Sequence, residues 1–83
     1  LMGKKPDEEI IERLSRKALA VDGVRSLNEV KAHFLGNFVQ IEVHIEVDGA
    51  LATERSHRIA KEVQARLEED ELVDDAIVHV DPV

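Results

Sequence analysis

Four histidines and eighteen acidic residues carry nearly all the side-chain chemistry available to this 83-residue chain. Within the run Val73 to Pro82, His79 and Asp81 lie two residues apart. On a strand they share one face, while Val78 and Val80 share the other. An imidazole and a carboxylate so placed can grip a divalent cation together, or simply hydrogen-bond each other at a sheet edge. His44 belongs to another alternating run: Val39, Ile41, Val43, Ile45 and Val47 face one way, and Gln40, Glu42, His44, Glu46 and Asp48 the other. If these two strands are neighbours and parallel, His44, His79 and Asp81 project from the same open face. Zinc takes about four ligand atoms at about 2.0–2.2 Å, so three strand-borne groups with His57 or water would suffice. Each group also has an ordinary reading as a solvated polar residue, and spacing alone leaves both open.

Other chemistry is poorly supported. There is no cysteine, which removes disulfides and thiolate metal sites. No serine stands in a recognisable nucleophile context, and no glycine-rich loop precedes a helix to cradle phosphate. The carboxylates fall at helical spacings that mark solvated faces, so the chain does not read as an enzyme. The net charge of −7 argues against nucleic acid or an anionic membrane surface as the main partner, because both need a basic face. No run approaches the roughly 20 apolar residues that span a bilayer. The wealth of charge, with only two Asn and two Gln, leans toward a heat-adapted source.

The elements that must position the histidines are legible in order. Residues 1–5 read as a disordered or expression-derived start, and residues 6–83 as one domain. Pro6 suits a first helical position, and Asp7, Glu8 and Glu9 favour the positive end of a helix dipole. Ile10, Ile11, Leu14, Ala18 and Val21 then recur at helical spacing, predicting an amphipathic helix of about four turns that ends at Asp22-Gly23. A strand with a ragged start follows over Val24 to Leu35, and Gly36-Asn37 reads as a two-residue hairpin turn. That turn places Leu35 opposite Phe38, His33 opposite Gln40, Lys31 opposite Glu42 in a cross-strand ion pair, and Glu29 opposite His44. His33 then lies near the hairpin tip, two pairs from His44.

A second helix runs from about Leu51 to Glu69, with Ala52, Ser56, Ile59, Ala60, Val63 and Leu67 as its buried stripe. Glu54–Arg58, Arg58–Glu62 and Glu62–Arg66 are its expected i,i+4 ion pairs. His57 sits at the margin of the stripe, able to look past the sheet edge. The second strand, this helix and the last strand form a β-α-β unit with parallel strands. The expected fold is α+β: an α-β-β-α-β two-layer sandwich with a small mixed three-stranded sheet, both helices on one face and the other face open.

The run Val39 to Val47, then Glu54-Arg55-Ser56-His57, then Val78-His79-Val80-Asp81-Pro82, resembles the C-terminal cytosolic domain of cation diffusion facilitator transporters. The resemblance covers roughly Glu8 to Pro82. Thirteen residues from His44 to His57 and twenty-two from His57 to His79 match the histidine pattern of that family. It implies a metallochaperone-like fold (ferredoxin-like without its first strand) that forms a homodimer below a membrane-embedded transport domain. It further implies zinc, or another divalent cation such as manganese, bound at the dimer interface by His44, His57, His79 and Asp81. Asn28 stands where many members have a histidine, and an amide oxygen is a poorer zinc ligand than an imidazole. The implied role is regulatory, in the cytoplasmic domain of a cell-membrane efflux protein. The rival reading is a stand-alone interaction module whose histidines are incidental.

Overall fold

The computed structural model describes residues 4–83, so residues 1–3 of the expected disordered start lie outside the described residues. Lys4 is already tied to the fold, its carbonyl accepting the Phe34 N–H at 2.6 Å. The element order is α1 (Glu8–Leu19), β1 (Ser26–Leu35), β2 (Phe38–Val47), α2 (Thr53–Glu68) and β3 (Val73–Pro82). The sheet runs β1-β2-β3, with β2 central, antiparallel to β1 and parallel to β3.

Strand β2 organises the core. Val39, Ile41, Val43, Ile45 and Val47 are each at most 2% exposed, beneath Leu14 and Ala18 of α1 and Ile59, Val63 and Leu67 of α2. Five β-branched side chains on one pleat face fill the sheet-to-helix layer without aromatic residues. Truncating Ile45 to alanine there is expected to cost about 2–5 kcal/mol. Helix α2 also finishes one sheet edge. Gln64 donates its amide to the Ala76 carbonyl at 3.0 Å, and Glu68 accepts the Ala76 N–H at 3.3 Å, so α2 caps polar groups of β3 that no strand pairs.

The hairpin register is as the Gly36-Asn37 turn requires, Leu35 opposite Phe38 through Glu29 opposite His44. The ragged start of β1 is a bulge between Leu27 and Glu29, centred on Asn28. Several local expectations are corrected. Helix α1 begins at Glu8 with Asp7 as N-cap, so buried Pro6 precedes the helix instead of opening it. Ala52 is the exposed N-cap of α2 and lies outside its buried stripe. Lys31 stands level with Glu42 but pairs with Glu29 on its own strand at 3.4 Å, because the Glu42 carboxylate turns toward the histidines. Of the three expected pairs on α2, only Glu62–Arg66 forms among the described residues, at 3.6 Å.

One long-range ion pair closes the far end. Arg13 donates two hydrogen bonds to Asp70, at 2.9 and 3.0 Å, joining α1 to the α2–β3 connection. This bidentate pairing is the main cause holding the Asp70 carboxyl below its ordinary range; partial burial opposes it, and the Leu72 N–H and the charges of Arg13 and Lys17 assist.

Candidate metal centre

The open face is built by the side chains that β2 and β3 turn away from the core. Parallel register sets His44 level with His79, Glu46 level with Asp81 and Glu42 level with Ile77. The two imidazoles lie face to face, ring centroids 4.4 Å apart and planes inclined by 15°. One oxygen of Glu42 reaches both: Oε2 is 3.4 Å from His44 Nε2 and 3.5 Å from His79 Nε2.

These distances are long for hydrogen bonds. Two ligand atoms about 2.1 Å from one ion at a tetrahedral angle stand roughly 3.4 Å apart, so the separations suit a shared cation. The ligand atoms of Glu42, His44 and His79 all lie within 4.8 Å of one another. The donor chemistry fits: two imidazoles and a carboxylate, with solvent open to supply further ligands, since the His79 side chain is 48% exposed.

Asp81 occupies the opposite side of the His44 ring, its Oδ2 3.5 Å from Nδ1. The same oxygen accepts a hydrogen bond from the Asn28 amide at 3.2 Å. His44 thus has a carboxylate oxygen near each ring nitrogen, at 3.4 and 3.5 Å, and a metal-ligating imidazole commonly has such an acid beside its other nitrogen. The β1 bulge brings Asn28 to this place.

His57 is not part of the cluster. It lies on the outer flank of α2, in a cleft of about 300 Å³ shared with Gln64 and with Asp75 to Val78 on the free edge of β3. His33 stays level with Gln40 near the hairpin tip. Glu42 is the member of this cluster that sequence reasoning did not single out. Its signal was its place two residues before His44 on the same face, but an expected pairing with Lys31 accounted for it.

Fold and site together describe a two-layer α-β-β-α-β domain carrying a histidine–carboxylate cluster on its uncovered sheet face. Residues 6–83 match the family model for the cytoplasmic domain of cation efflux proteins, and the chain belongs to that family. An uncharacterized transporter of Methanocaldococcus jannaschii is 37% identical over 83 residues, spanning all of this chain and 29% of that protein. The manganese efflux system protein MneS of Bacillus subtilis is 36% identical over 63 residues, 76% of this chain and 22% of that protein. The chain therefore spans under a third of the length of these curated relatives. Among solved structures, a cadmium form of a substituted MamM CTD superposes with a TM-score of 0.87 at 26% identity, covering 92% of this chain and 96% of that one. The expected α-β-β-α-β architecture is the one observed.

Proposed function

We propose that this chain is the cytosolic regulatory and dimerisation domain of a divalent-cation efflux transporter, with a metal site on its open sheet face. The observation that carries the reading is the Glu42 oxygen placed 3.4 and 3.5 Å from two stacked imidazoles. Glu42, His44 and His79 hold the ion, Asp81 fixes the His44 ring, and water completes the shell. In this arrangement Asp81 acts through His44, a different role from the ligand that the family resemblance implies. His57, remote within one chain, joins a metal site where a second copy of the chain brings its α2 flank over the open face.

The donor set has no thiolate and mixes imidazole with carboxylate, so it accepts zinc and the harder manganese ion. Zinc binds the more tightly by intrinsic affinity. Two relatives are named as manganese efflux proteins, which supports manganese as the transported ion. Glu29 is paired to Lys31, but Glu42, Glu46 and Asp81 still make the open face acidic, so two such faces repel until a cation lies between them. Metal binding then favours close approach of two protomers, which reports cytosolic metal to a transport domain. The share of the relatives that this chain leaves uncovered is the place for that transport domain.

Isothermal titration of the chelator-stripped chain with zinc and with manganese tests the site. Saturable binding of about one zinc per chain, with sedimentation showing zinc-dependent dimers, is the expected result. Absence of zinc binding at millimolar concentration would sink the sensing role. A monomer at every metal load would remove the interface.

A further inference from the structure

On the helical side of the domain the charge reverses. A cleft of about 610 Å³ runs between the C-terminal half of α1 and the flank of α2 beside it. Lys17, Arg55, Arg58, Lys61 and Arg66 line it against only Asp22 and Glu62. With Asp70 and Glu69, which pair with Lys17 and Arg66, five of the chain's eleven cations meet four of its eighteen acids, a local excess of one positive charge in a chain of net −7. Lys17 comes from α1 and the other four from α2, so cations stand on both walls. Ala20, Val21 and Ile59 supply apolar lining between them.

Some of these cations are held in place and others are free. Lys17 is held by Asp70 at 3.7 Å, Arg55 by Asp22 at 3.3 Å, and Arg66 by Glu62 at 3.6 Å and Glu69 at 3.2 Å. Among the described residues, neither Arg58 nor Lys61 has a carboxylate within 4.0 Å, although Glu54 and Glu62 sit one helical turn from Arg58. Gly23 sets the shape of one end: at φ +97° it brings the chain after α1 against Ile59 and Arg55.

We propose that this cleft binds a small molecule carrying two or more phosphate groups. Guanidinium forks match phosphate oxygens two at a time, and Lys61 adds a mobile point charge. The volume falls in the range of about 300–1,000 Å³ typical of small-molecule sites, and apolar lining with a few polar groups is their usual character. A flat membrane surface would touch only the rim and leave the apolar lining bare, so the concave shape favours an inserted ligand. The site lies away from the histidine cluster and shares no residue with it.

Nuclear magnetic resonance titration of the chelator-treated chain with ADP and with pyrophosphate, free of divalent ions, tests this. Saturable shifts centred on Lys17, Arg55, Arg58 and Lys61 are expected, with Kd of about 1 mM or tighter and weakening as salt rises. The double variant Arg58→Gln/Lys61→Gln is expected to bind about tenfold or more weakly with unchanged Tm, and His79→Ala to bind like the parent. The proposal is overturned if neither probe saturates by about 10 mM, if the shifts centre on His44 and His79, or if the double variant binds as the parent does. It is equally overturned if phosphatidylserine vesicles or polyglutamate bind while ADP and pyrophosphate do not.

Discussion

His44 and His79 stand level on adjacent parallel strands, their rings stacked 4.4 Å apart, with one oxygen of Glu42 within 3.5 Å of both. Parallel pairing sets two residues thirty-five positions apart side by side, and the pleat turns both away from the helices. Removing either ring or the shared oxygen breaks the same donor set. His79→Ala and Glu42→Gln are each expected to lower zinc affinity by roughly a hundredfold or more, with thermal stability of the metal-free chain little changed. Competition titration against a chelator measures both.

Asp81 acts from the other side of His44 and should therefore weigh less. Asp81→Asn leaves an amide that still meets Nδ1, and is expected to weaken zinc by about tenfold. A loss equal to that of His79→Ala would show that Asp81 ligates the ion directly.

Asn28→His places an imidazole beside Asp81 Oδ2 and near Nδ1 of His44, where the amide now donates at 3.2 Å. A second histidine–carboxylate set then exists on that side of the ring. Zinc stoichiometry is expected to rise from about one to about two per chain, read directly from the titration end point. An unchanged end point would mean that the bulge holds position 28 too far from His44 for a shared ion.

The Arg13–Asp70 pair makes stability depend on pH in a defined direction. The folded-state pKa of Asp70 lies below its ordinary value of 3.8, so its contribution is complete above that value and fades as pH falls through the depressed one. Asp70→Asn is expected to cost about 1 kcal/mol near pH 7. The difference from the parent should shrink in urea melts as pH falls below 3.8. A constant difference across that range would assign the effect to packing instead of charge.

Two turn glycines should respond unequally to alanine. Gly23 has φ +97°, and a Cβ there would lie 2.9 Å from Ile59 Cγ1; Gly36 has φ +63° with nothing within 4 Å. Gly36→Ala then carries only the left-handed backbone penalty of about 1–2 kcal/mol, whereas Gly23→Ala adds overpacking of about 1–3 kcal/mol. Denaturant midpoints of the two variants give the comparison.

What the residues alone determined was local and periodic. The alternation from Val39 to Val47 decides which side of β2 is buried, because each step along a strand reverses the side chain. The Gly36-Asn37 turn sets the register back to Glu29, and the helical spacing of Leu14, Ala18, Ile59 and Val63 names the face that covers the sheet. His44, His79 and Asp81 share the open face for the same reason. Tertiary structure decided which side chains of different elements meet. Glu42 leaves its expected partner Lys31 because β3 sets His79 beside His44 of its own strand, a neighbour that no spacing within β1 and β2 reveals. Asp81 falls on the far nitrogen of His44, and His57 on the outer flank of α2, since helix azimuth and ring orientation depend on how the layers pack. Arg58 stands free among the cations of the α1–α2 cleft for a related reason: an i,i+4 pair at a wet surface is worth only tenths of a kcal/mol, too little to hold a side chain against its surroundings.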